Sequence, residues 1–192
     1  MQKICFAQNA WENAPLEYAY TRRFEPTPRF TQMPDYISNL AADDGPGGYE
    51  NISLLTSKRY TYGTKVSTTL AFEGLGAPII MFAEHMDRDE NGEWRFDDYF
   101  EVVMYKNGIN VWRLYPKDGK VCWHKLVGVE FPIQEGVCHN LTVQINEKTI
   151  VVEAEGHKIT LWSEELPCRF HVGIDACEGI NRFYDLTINE VE

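Results

Sequence analysis

The chain has 192 residues and a formal net charge of −11, from 18 Lys and Arg against 29 Asp and Glu. Apolar residues make up 44% and aromatic residues 13%, enough for one domain with a core of its own, spanning residues 1–192. The negative charge opposes phosphate backbones and anionic lipid surfaces alike, so neither a nucleic acid nor a membrane is an expected partner.

The opening MQKICFAQNAWENAPLEYAY has no basic stretch followed by a long apolar run. No signal peptide is expected, and the expected location is cytoplasmic. Cys5, Cys122, Cys138, Cys168 and Cys177 are widely spaced without a Cys-x-x-Cys pair. They read as reduced, mostly buried thiols. Residues 1–48 are punctuated by Pro15, Pro26, Pro28 and Pro34 and close on Asp43-Asp44-Gly45-Pro46-Gly47-Gly48. That density of Pro and Gly excludes a long helix. Trp11, Tyr18, Tyr20, Phe24, Phe30 and Tyr36 are too many aromatics for a disordered tail. The segment is expected to wrap the domain and add one or two edge strands. The closing Gly-Pro-Gly-Gly lacks the Lys and the helix of a phosphate loop.

From Asn51 onward the hydrophobic period is two. Strands are expected at 60–72, 78–85, 99–105 and 110–115, the last two joined as a hairpin across Lys106-Asn107-Gly108. Lys117-Asp118-Gly119 turns into a strand at 121–126. Another hairpin covers 140–146 and 149–155, followed by 158–162, 169–175 and 182–189. No helical periodicity reaches three turns, which makes the fold class all-β, a sandwich or barrel.

Three pieces carry a resemblance: YGTKVSTTLAF with APIIMFAEH, the hairpin YFEVVMYKNGINVWRLY, and the ending LPCRFHVGIDACEGINRFYDLTI. Their order resembles the concanavalin A-like lectin/glucanase superfamily. The ending also looks like laminin G-like and 3-keto-disaccharide hydrolase-like domains. The resemblance implies an antiparallel two-sheet jelly roll over residues 49–192, and a carbohydrate-related role as lectin, binding module, hydrolase or lyase. Retaining glucanases of that superfamily carry Glu-x-Asp-x-Glu on one strand face. Here that face offers Asp97, Tyr99 and Glu101, with Tyr in place of the central Asp, so that machinery is not expected. The His-x-Asn-x-Arg pattern of galectins is absent too.

Alternation assigns the faces. Phe100, Val102 and Met104 point to the core, leaving Glu101 and Tyr105 outside. Trp112 and Leu114 are taken as core, leaving Arg113 and Tyr115 outside. Phe170, Val172 and Ile174 point inward, leaving His171 and Asp175 outside. On a shared concave sheet these outward residues line one groove. Its aromatic faces would stack on sugar rings, and its Arg and carboxylates would take hydroxyls. The competing reading is the ordinary polar outer face of an antiparallel sheet. On the enzyme alternative, His171 and Tyr105 act as an acid–base pair, with Glu101, Arg113, Tyr115 and Asp175 binding substrate. A structural or subunit role is the third possibility. Asp87-Arg88-Asp89-Glu90-Asn91-Gly92 begins like a calcium loop. Asp87, Asp89, Asn91 and Asp98 are its candidate ligands for Ca²⁺, against the simpler reading of an acidic hairpin turn with no cofactor. Trp112 and Trp162 read as core, Trp94 and Trp123 as exposed platforms.

Overall fold

The computed structural model describes residues 1–40 and 51–190; the Asp-Asp-Gly-Pro-Gly-Gly stretch lies outside them. The strands are β1 (Gln2–Cys5), β2 (Leu16–Thr21), β3 (Thr31–Gln32), β4 (Ile37–Ser38), β5 (Ile52–Thr56), β6 (Tyr60–Thr61), β7 (Thr64–Glu73), β8 (Ala77–Ala83), β9 (Asp87–Arg88), β10 (Trp94–Phe96), β11 (Tyr99–Tyr105), β12 (Gly108–Lys117), β13 (Lys120–Glu130), β14 (His139–Ile145), β15 (Thr149–Ala154), β16 (His157–Trp162), β17 (Arg169–Cys177), β18 (Ile180–Phe183) and β19 (Asp185–Asn189). They form two packed sheets. The first runs β16-β15-β14-β7-β18-β4-β3, with β19 on β7 and β1 on β19; the second runs β13-β12-β11-β8-β17-β5-β2-β10-β9, with β6 on β17. The fold is a jelly-roll β-sandwich.

Among its described residues the N-terminal segment gives four strands rather than one or two, and they enter both sheets. Its aromatics anchor it. Trp11 meets Phe6 edge-on at 5.9 Å, and Phe30 meets Phe183 edge-on at 5.9 Å. The expected strand at 60–72 breaks at Gly63, whose φ of +89° suits glycine. Tyr60–Thr61 then pairs with β17 in the second sheet, while Thr64–Glu73 lies in the first. The 106–108 hairpin forms as a two-residue turn pairing Tyr105 with Gly108. A Cβ on Gly108 would lie 2.0 Å from the Val129 carbonyl oxygen, so no larger residue fits there. Asp118 and Gly119 both have positive φ, the two left-handed residues that a tight β12–β13 turn requires. The cysteines depart from expectation: Cys5, Cys138 and Cys168 are exposed, Cys122 and Cys177 partly so. Cys5, Cys138 and Cys168 sit at strand ends or in loops, Cys122 lies within β13, and Cys177 packs at the margin of the second apolar cluster described below.

The main core lies between the sheets and includes Phe82, Phe100 and Phe170. Phe82 and Phe100 stack at 4.8 Å with planes 4° apart. A second apolar cluster lies on the other face of the second sheet: Ala19, Leu55, Ile79, Met81, Ala83, Phe96, Tyr99 and Leu114. Alternation explains both. Ile80 and Phe82 of β8 enter the first cluster, while Ile79, Met81 and Ala83 enter the second. All seven residues of β8 are therefore buried.

Candidate functional site

The site sits on the face of the second sheet that turns away from the main core. Three rows cross it. Trp112, Glu101, Met81 and Gly173 form one row. Asn110, Val103, Ile79, Asp175 and Ser53 form the next. Leu114, Tyr99, Ala83 and His171 form the third. A groove of about 350 Å³ opens over the first two rows and is lined by Glu101, Tyr105, Asn110, Trp112 and Trp123, with the 75–77 turn and Glu178 at its rim. Trp123 is 59% exposed and meets Trp112 edge-on at 6.5 Å. The side-chain oxygen of Asn110 is buried without a hydrogen-bond partner among the described residues.

Glu101 and Asp175 place two carboxyl groups among apolar neighbours. Burial, then the negative charge of Asp175, pushes Glu101 up to about 8, against the pull of the Arg23 guanidinium. Burial pushes Asp175 up to about 7, although the Ser53 hydroxyl donates to its Oδ1 at 2.6 Å and Arg23 favours its charge. Arg23 reaches over this face from the loop after β2. It donates to the Tyr99 hydroxyl at 2.6 Å and lies 4.4 Å over the Trp123 ring. Burial raises the Tyr99 hydroxyl pKa as well. Near neutral pH, then, Glu101 presents a carboxylic acid able to donate a hydrogen bond, beside an acceptor amide and two indole rings.

The structure brings Glu101, Tyr105 and Asp175 to the expected face, and separates the rest. Arg113 and Tyr115 lie on the opposite side. Arg113 is cross-strand from Phe100 and lies 5.7 Å over its ring. It is tied to Asp98 at 3.1 Å and Glu165 at 2.7 Å, and stacks on Tyr115 at 4.6 Å. The reason is that β12 is apolar on both faces. Ile109 and Val111 fill the main core, so Trp112 and Leu114 go outward. His171 does reach the open face, but it is buried and its Nδ1 donates to the Thr56 carbonyl at 2.7 Å. Burial holds its pKa below the ordinary value, which leaves a neutral ring. It lies level with Tyr99, six residues from Tyr105 along the sheet. That is about 20 Å at the rise of a strand. His171 and Tyr105 therefore do not form a pair. Trp162, expected in the core, is 61% exposed on the edge strand β16.

The acidic loop forms the β9–β10 hairpin. Its carboxylates go to different arginines: Asp87 to Arg22 at 2.6 Å, Asp89 to Arg95 at 2.7 Å and Asp98 to Arg113 at 3.1 Å. Asp89 also accepts from the backbone N–H groups of Asn91 and Glu93. Among the described residues no cluster of three or more His, Cys, Asp or Glu is placed to hold a metal. The Asp87, Asp89, Asn91, Asp98 set does not fit Ca²⁺, because its acids diverge and are already neutralised.

Arg23, Asn110 and Trp112 are the residues missed from sequence. The signal for Trp112 was present in the apolar residues on both faces of INVWRLY. For Arg23 there was none, because its position depends on a loop path.

No family model matches the sequence, and no curated protein is similar to it. Solved structures do match in fold. One, from work on endo-acting O-glycanases of the human gut microbiota that initiate mucin breakdown, has a TM-score of 0.64 at 9% identity, covering 100% of this chain and 99% of its own. The VIP36 exoplasmic/lumenal domain, in a Ca²⁺- and Man3GlcNAc-bound form, has a TM-score of 0.60 at 10% identity over 99% and 88%. The carbohydrate-binding module CBM66 from Bacillus subtilis has a TM-score of 0.58 at 11% identity over 75% and 86%. The protein is thus a two-sheet jelly roll with a groove on one open sheet face. It shares that fold with these structures.

Proposed function

We propose that this protein recognises an oligosaccharide in the groove over β8, β11 and β12. The observation that carries the reading is a sheet apolar on both faces whose open side ends in an aromatic and hydrogen-bonding groove. A water-facing sheet side is ordinarily polar. Trp112 and Trp123 offer flat surfaces for the C–H faces of sugar rings. Glu101 donates from its acid form, and Asn110 offers an otherwise unpartnered oxygen. Similarity in fold to a carbohydrate-binding module and to the VIP36 exoplasmic/lumenal domain in its Man3GlcNAc-bound form supports the sugar class.

A second reading, glycoside cleavage, has one specific observation in its favour. Glu101 is a carboxylic acid held protonated near neutral pH on an open sheet face, the state a general acid needs. Screening a glycan array and titrating the best ligand by calorimetry tests the first reading. Trp123→Ala should weaken affinity by at least ~10-fold (about 1.4 kcal/mol). No glycan bound, or unchanged affinity in this variant, overturns it. Incubating the same ligand and following its anomeric NMR signals tests the second: new signals that vanish in Glu101→Gln would establish cleavage.

A further inference from the structure

A second cavity, of about 620 Å³, lies at the far edge of the second sheet, between the N-terminal segment and the β9–β10 hairpin. It shares no lining residue with the groove. Four aromatic side chains line it: Trp11, Tyr18, Phe30 and Trp94. Two guanidinium groups lie over two of the rings, Arg88 at 4.3 Å from the Trp94 centroid and Arg29 at 4.9 Å from that of Tyr18. Among the described residues neither arginine has a carboxylate within ion-pair distance, although the chain carries a net charge of −11. Arg88 spends one N–H on the Gly92 carbonyl. Glu12, Glu17 and Glu93 bring acceptors to the same walls. The indole Nε1–H of Trp94 is buried with no acceptor among the described residues.

We infer that this cavity is a second saccharide site, for an uncharged sugar of a few rings. Its volume falls in the range of small-molecule sites. Stacked arginines present fixed pairs of N–H donors and glutamates present pairs of acceptors, the two forks that vicinal hydroxyls satisfy together. The wall charges, two positive and three negative, nearly cancel. A phosphate, sulfate or uronate would meet three carboxylates and the field of the whole chain, so an anion is disfavoured. Aromatic faces set among charged and amide groups favour a ring with alternating C–H and O–H surfaces over a greasy ligand. The inference concerns the same ligand class as the groove but a separate surface, so either can fail alone. Two such sites on one chain would raise the affinity for a long or branched glycan through effective concentration.

The test uses the indole ¹H–¹⁵N signals of the full chain, which report the two places separately: Trp11 and Trp94 for the cavity, Trp112 and Trp123 for the groove. The probes are a panel of neutral di- to tetrasaccharides built from hexoses, N-acetylhexosamines, pentoses and fructose, with trigalacturonate as the charged comparison. At least one neutral probe should move both the Trp11 and the Trp94 signals with a saturable curve. The Arg29→Gln/Arg88→Gln double variant should weaken that curve by at least ~10-fold while Trp112 and Trp123 respond as in the unaltered protein. Both arginines are exposed, so the fold is expected to survive, and unchanged methyl signals would verify it. No response of Trp11 and Trp94 to any neutral probe, tighter binding of trigalacturonate, or an unchanged curve in the double variant overturns the inference. Silence of Trp112 and Trp123 alone would count against the groove and leave this site standing.

Discussion

The outward faces of the two sheets are built differently. On the first sheet, β14 and β15 alternate strictly, with Leu141, Val143 and Ile145 buried and Asn140, Thr142 and Gln144 toward water. On the second sheet, β8 is buried at every position, and Leu55, Ile79, Met81 and Leu114 form a second apolar cluster on the side away from the core. One face obeys the ordinary rule for a solvated antiparallel sheet. The other breaks it and carries two carboxyl groups as well, Asp175 buried and Glu101 partly so. A fold has no need of such a face for stability alone, since taking carboxyl groups out of water opposes it. The difference supports the proposal that the second sheet is the side shaped for a ligand.

Substitutions can break that comparison. The largest effect is expected at Gly173, where a Cβ would lie 1.8 Å from the Leu54 carbonyl oxygen on the neighbouring strand. Gly173→Ala should cost more than about 4 kcal/mol in chemical denaturation, or prevent folding. A mild effect would mean that β5 and β17 are not so closely paired. Next, Leu55→Ala, fully buried on the open side of the second sheet, should cost about 2–5 kcal/mol. Thr142→Ala, on the outward side of the first, should stay within about 0.5 kcal/mol. Equal costs would erase the distinction between the faces.

The carboxyl groups give a pH signature. Both pKa values are raised in the folded state, so the fold binds protons more tightly than the unfolded chain. Their favourable contribution is full below the ordinary carboxyl range and is lost as pH rises through about 7 and about 8. Stability should therefore decline between weakly acidic and alkaline pH. Glu101→Gln should flatten the decline and gain on the order of 1–3 kcal/mol at the alkaline end. A denaturation series across pH with an unchanged slope in the variant would refute the buried-acid assignment. The smallest effect contrasts two exposed indoles. Trp123→Ala should lose about 1.4 kcal/mol of glycan affinity, a factor of ten. Trp162→Ala, equally exposed on the first sheet, should lose none.

Sequence alone revealed most of the strands, because turn pairs such as Asp118-Gly119 and period-two runs are local signals. It placed Glu101 and Asp175 correctly for the same reason: each lies between residues that can only be core, as with Phe100 and Val102. It failed on β12, where Ile109, Val111, Trp112 and Leu114 make both faces apolar and the parity ambiguous. The pairing of His171 with Tyr105 failed because a face assignment carries no information about distance along the sheet. Oxygen spacing in a loop, the basis of the calcium reading, does not reveal the arginines that Asp87, Asp89 and Asp98 meet in space. Arg23 was hidden because its position depends on how a proline-rich segment crosses the sheet.

The most direct test of the central claim is amide hydrogen exchange with and without the best glycan from the array. The account predicts new protection in residues 75–81, 99–112 and 120–125, around the groove, with β14–β16 unchanged. Protection confined to β14–β16, with the groove segments exchanging as before, would contradict it.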